Sequence, residues 1–92
     1  MTLKIERIAD KRKTRIRLSG QVRAEHIDQL KAEIAGLQVA LDLEEVDLVD
    51  IEGIRFLNAC VAEGISVLHC PPYIREWMFR ERHAVSHKKE DI

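Results

Sequence analysis

Aromatic residues, prolines, cysteines and glycines are all scarce in this chain: one Trp, one Tyr, two Phe, two Pro, two Cys and four Gly in 92 residues. Each shortage excludes something. No aromatic interleaves the basic cluster Lys11, Arg12, Lys13, Arg15 and Arg17, so that cluster lacks the stacking platform of a nucleic-acid binder. With so few glycines there is no phosphate-cradling loop, no dinucleotide fingerprint and no nucleophile elbow. No enzyme class and no cofactor is therefore indicated. Cys60 and Cys70 form no Cys-x-x-Cys pair, and the neighbours His69 and Cys70 would point to opposite faces of a strand, so no metal is expected. No apolar run approaches the ~20 residues that cross a bilayer. The opening segment MTLKIERIADKRK has no apolar leader core, which predicts a cytoplasmic protein with reduced, buried thiols.

What is present is an ordinary globular composition: 46% hydrophobic, 34% charged, net charge −1. A near-neutral balance gives no global attraction to nucleic acid or to an anionic membrane. The length suits one domain, which would bury roughly 60% of its unfolded surface. Charge is uneven along the chain. Residues 1–17 hold Lys4, Arg7, Lys11, Arg12, Lys13, Arg15 and Arg17 against Glu6 and Asp10. Residues 42–52 hold Asp42, Glu44, Glu45, Asp47, Asp50 and Glu52 with no basic residue. These two bands have opposite sign, and pairing between copies of the chain is one use they permit.

Hydrophobic spacing sets the elements. Leu3 and Ile5, then Ile16 and Leu18, alternate with polar residues around the turn Asp10-Lys11-Arg12-Lys13, the pattern of a hairpin with one core face and one basic face. Ile27, Leu30, Ile34 and Leu37 fall at helical spacing, with Gly36 as the expected C-terminal cap. Val39 to Leu43 reads as a central strand, followed by an acidic linker. Asp50 stands as N-cap of a helix from Ile51 to Glu63, with Ile54, Leu57 and Val61 as its inward stripe. Ile65 to Cys70 reads as a strand, and Pro71-Pro72 opens a short closing helix with Ile74, Trp77 and Met78 inward. Residues 84–92 read as a polar tail after a domain at 1–83.

The order is β-β-α-β-α-β-α, which predicts an α/β fold: a four-stranded mixed sheet with about three helices. The order resembles the STAS domain of bacterial anti-sigma factor antagonists. The likeness is strongest at Leu18-Ser19-Gly20, at Val39 to Leu43, at Asp50-Ile51-Glu52-Gly53 through Leu57, and along the run His69-Cys70-Pro71-Pro72-Tyr73-Ile74-Arg75-Glu76-Trp77. That resemblance implies a non-enzymatic protein-interaction module whose partner is an anti-sigma factor or a kinase-like regulator. It also implies a phosphorylated Ser or Thr just before the motif glycine. Here Ile51 and Glu52 hold those positions, so the family position carries no phosphoacceptor. Whether Ser19, Ser66 or Ser86 takes that part stays open.

The expected contact surface is Asp47, Asp50, Ile51, Glu52, Gly53, Arg55 and Asn58, with Arg55 and Asn58 projecting from the exposed side of the helix. Glu52 reads either as a fixed negative charge in place of a phosphate or as ordinary helix-start chemistry. Gly53, costly inside a helix, suits close approach of another backbone, within the domain or from a partner. Phe56 lies off the inward stripe and reads either as part of a secondary core beside Trp77, the favoured reading, or as an exposed anchor for a partner. The alternative function is binding of a small ligand, a nucleotide or a lipid, which the resemblance allows.

Overall fold

The computed structural model describes residues 3–9, 13–35 and 38–90, with 84–90 as backbone only. The turn at Asp10–Arg12 and the cap at Gly36, with Leu37, lie outside the described residues. The elements are β1 (Leu3–Ala9), β2 (Thr14–Val22), a 3-10 turn (Ala24–His26), α1 (Ile27–Ile34), β3 (Val39–Val49), α2 (Ile51–Ala62), β4 (Ser66–Leu68) and α3 (Pro72–Glu90). They form one four-stranded sheet in the order β1-β2-β3-β4. β1 pairs antiparallel with β2, and β2–β3 and β3–β4 are parallel, so the sheet is mixed.

Strand periodicity puts the odd positions of β1 and the even positions of β2 on one face. The register Ile5↔Leu18 and Ile16↔Leu41 carries that face across to β3. There Ile16, Leu18, Val22, Leu41 and Leu43 share a core with Leu30 of α1, Ile54, Leu57 and Cys60 of α2, and Ile74 and Met78 of α3. The same registers place Glu6, Arg17 and Asp42 together on the opposite face.

Three sequence expectations are corrected. The acidic stretch after Leu43 is not a linker: β3 continues through it to Val49, 11 residues in all. Its buried positions there are Leu43, Val46 and Val49, spaced by three. The register explains this, because β3 advances one extra residue against β2 between Arg17 and Ser19, and again between Gly20 and Gln21. Each such bulge resets the two-residue phase that marks a strand in sequence.

Val61 has the angular phase of the α2 stripe but is 40% exposed. It lies in the last turn of α2, and the buried arc runs instead through Gly53, Ile54, Phe56, Leu57 and Cys60. The closing helix is not short: α3 spans 19 residues. Phe56 is buried, as expected, but it lines a cleft with Lys31, Ile34 and Ala35 of the α1 segment.

Candidate functional site

The β3–α2 junction is built around Asp50. Its extended backbone ends β3, and its Oδ1 accepts the Gly53 N–H at 2.9 Å, the N-cap bond anticipated from sequence. Its Oδ2 accepts the Ala24 N–H at 2.8 Å, and its own N–H donates to the Val22 carbonyl at 3.1 Å. Asp50 therefore ties the end of β2 to the start of α2. Only the cap was legible in sequence, because the partner at Ala24 is 26 residues away.

Gly53 is buried against the same junction. A Cβ there would lie 2.6 Å from Val49 Cγ1 and 2.9 Å from the Val22 carbonyl oxygen. The close backbone approach inferred from sequence is thus made within the domain. Gly64 differs in kind: its φ is +89° and nothing lies within 4 Å, so backbone conformation alone calls for glycine there.

The remaining predicted contact residues divide into two sets. Glu52 is exposed, and its carboxylate lies 3.5 Å from the Arg55 guanidinium one turn on. Both partners are more than half exposed, so the pair contributes little to stability, ~0–1 kcal/mol. Asp47 is exposed and Ile51 half-buried. Arg55 is exposed, whereas Asn58, expected on the same exposed side, is half-buried; both bond to α3. Arg55 Nε donates to Glu81 Oε1 at 3.1 Å, and Asn58 Nδ2 donates to the Met78 carbonyl at 3.0 Å from a half-buried position. Helix α3 covers that side of α2, and its approach could not be read from the α2 sequence.

Two residues missed in sequence join the surface. Tyr73 donates its hydroxyl to the Asp47 carbonyl, which pins the start of α3 to the end of β3. Tyr73 and Leu48 are each 48% exposed, one bonded to Asp47 and one beside it in the chain. The exposed rim thus combines Asp47 and Glu52 with an aliphatic side chain and with an aromatic one, the residue type that protein interfaces enrich. Leu48 falls out of phase with the bulged strand, and that phase was the signal hidden by the bulges.

A second cluster sits on the opposite sheet face. Asp42 is 1% exposed. Its Oδ1 accepts the Glu44 N–H at 3.0 Å and lies 3.2 Å from His69 Nδ1, while Arg17 Nε lies 4.0 Å from Oδ2. Burial pushes the Asp42 carboxyl up, but the Glu44 N–H, His69 and Arg17 together outweigh it and hold the group below its ordinary value. His69 has φ +54°, the left-handed region, which costs a non-glycine residue about 1–2 kcal/mol. In a regular strand His69 would point away from the face that Asp42 shares with Leu68. The left-handed turn brings its imidazole back to Asp42.

Burial, and then the Glu63 carboxylate, push the Cys60 thiol from 9.0 up to about 11. Burial also pushes Cys70 up, partly opposed by Arg75. The folded state thus holds Cys60 protonated. That contribution to stability is complete below the unfolded thiol value of about 8.5 and is lost as pH rises through about 11. At pH 8 a thiol reagent should label Cys60 only as fast as the chain unfolds. The urea midpoint should fall between pH 8.5 and 11 more steeply than in Cys60→Ala. Rapid labelling of Cys60 in the folded protein would contradict this burial.

The cleft that Phe56 lines encloses about 640 Å³. Lys31 and Glu63 face it with opposite charges, which gives no bias toward a phosphate-bearing ligand. Among the described residues no helix is long and apolar enough to cross a membrane.

Strand order, mixed pairing and the three helices define an α/β sheet of the STAS type. Its architecture is that of SpoIIAA. The structure of that anti-sigma factor antagonist in its unphosphorylated form superposes with a TM-score of 0.65, covering 94% of this chain and 98% of that one at 16% identity. The protein Mglu contains a similar unit: TM-score 0.57 and 21% identity over 72% of this chain, but only 19% of the Mglu chain. No protein-family model and no curated protein matches the sequence. These likenesses establish the fold.

Proposed function

We propose that this chain is a non-enzymatic regulatory module, resembling an anti-sigma factor antagonist, that works by binding another protein. The observation that carries this reading is Glu52, exposed in the first turn of α2 on a SpoIIAA-type fold, where the family resemblance calls for a phosphoacceptor. Ile51 and Glu52 cannot be phosphorylated, so the surface presents a constant carboxylate rather than a reversible charge of about −1.5 to −2. The contact surface is the rim of Asp47, Leu48, Ile51, Glu52 and Tyr73, flanked by Arg55. Asp50, Gly53 and Asn58 support it from beneath. A basic protein surface, on an anti-sigma factor or a histidine-kinase-like ATPase, is the complementary partner. The acid residues steer the encounter, and the apolar residues anchor it.

The test is affinity capture from the native cell lysate with wild type and Glu52→Lys, read by mass spectrometry. Glu52 contributes at most about 1 kcal/mol as a helix-start carboxylate, so the variant stays folded. A specific protein recovered with wild type and reduced at least ~10-fold with the variant is expected, because reversing a steering charge at a contact costs 1.4 kcal/mol or more. A partner retained equally by Glu52→Lys and Asp47→Lys would place the surface elsewhere.

A further inference from the structure

We propose that Asp42, Glu44 and His69 form a binding site for a divalent first-row transition metal of the zinc type. One donor atom from each of the three lies within 4.8 Å of the others. Asp42 Oδ1 and His69 Nδ1 are 3.2 Å apart. Two ligands about 2.0–2.1 Å from one tetrahedral ion stand about 3.3 Å apart, so this pair already has the separation of shared ligands. Glu44 is exposed and two residues along β3 from Asp42, and its side chain can close the remaining gap by rotation. An imidazole with two carboxylates suits zinc, cobalt or nickel better than magnesium or calcium, which take oxygen donors alone. The open positions would be filled by water.

The set is invisible in sequence. Asp42 pairs in register with Leu68, so His69 follows directly after the β4 residue beside Asp42. The left-handed backbone at His69 completes the set by turning the ring to the Asp42 face. Arg17 opposes a cation: its Nε lies 4.0 Å from Asp42 Oδ2 and has no hydrogen-bond partner among the described residues. With two carboxylates, one guanidinium and a neutral imidazole, the site carries a net charge of −1, which suits a modest rather than a very tight affinity.

The experiment is calorimetric titration of the full chain with Zn²⁺, with the Co²⁺ absorption spectrum as an independent reading of the ligand set. His69→Asn keeps a residue that tolerates the left-handed conformation and removes the imidazole. Glu44→Gln removes one exposed carboxylate charge. Each should weaken Zn²⁺ binding at least ~10-fold, in line with loss of a metal ligand. Arg17→Gln should tighten it, an opposite sign that a purely structural effect would not produce. His83 and His87 stand four residues apart on α3, a spacing that can itself bind metal. The double variant His83→Gln/His87→Gln should retain binding. Saturating Zn²⁺ should raise the melting temperature of wild type by about 10–20 °C at a hundredfold excess over Kd. Absence of Zn²⁺ binding at millimolar concentration overturns the proposal. So does undiminished binding by His69→Asn or Glu44→Gln, or loss of binding in the His83/His87 variant.

Discussion

Gly53→Ala should lower the melting temperature of this protein by about 5–15 °C, a net loss of about 1–2 kcal/mol. Alanine is the better helix former by up to ~1 kcal/mol, so propensity alone predicts the opposite sign. Sterics decide the outcome. The new methyl would meet Val49 Cγ1 at 2.6 Å and the Val22 carbonyl oxygen at 2.9 Å. The valine side chain is branched and has few other rotamers, and the carbonyl belongs to the backbone of β2. That carbonyl also accepts the Asp50 N–H at 3.1 Å, so moving α2 outward to fit the methyl would stretch the bond that seats it. Thermal unfolding by circular dichroism measures the effect. Gly64→Ala gives the contrast, because its cost comes from a φ of +89° with open space around it. A Gly53→Ala protein as stable as wild type would mean that α2 does not sit this close to β2.

Asp50→Ala should cost about 2 kcal/mol, because it removes two backbone contacts at once. The cap to Gly53 is worth about 1 kcal/mol. The bond from Ala24 to a charged acceptor adds a comparable amount, at the low end of its class because water can replace the carboxylate at exposed Ala24. Asp50→Asn separates the two. Its amide oxygen can still cap Gly53, whereas its NH₂ group cannot accept from Ala24, so about half the loss is expected. Urea denaturation of the three proteins gives the comparison. Equal stability of the Asn and wild-type proteins would show that the Ala24 bond contributes nothing. Hydrogen exchange should localise the damage, with faster exchange at Ala24 and Gly53 before the rest of the sheet.

The legible part of this protein was local. Asp50 declared itself as a cap because a short acceptor before an apolar periodic run has one use. Gly53 declared a close approach because glycine early in a helix is otherwise a loss. The element order and the mixed sheet followed from a hairpin pattern and then strand–helix alternation, which topology rules narrow to few arrangements. The site was harder. Asn58 looked exposed because α2 considered alone leaves it outside its apolar stripe, and α3 then half-buries it. Leu48 and Tyr73 went unnoticed because bulges broke the strand phase at one and a contact 26 residues away in sequence fixed the other.

Composition and local pattern were sufficient for fold class, helix starts and the central place of Val39 to Leu43. These depend on propensity, capping and burial period, which act over a few neighbouring residues. The length of β3, the cover over Asn58, the second bond of Asp50 and the meeting of Asp42, Glu44 and His69 arose only when the chain closed on itself. Each depends on register between strands or on packing between helices, where one extra residue or one crossing helix changes which side chains meet. No local pattern carries that information.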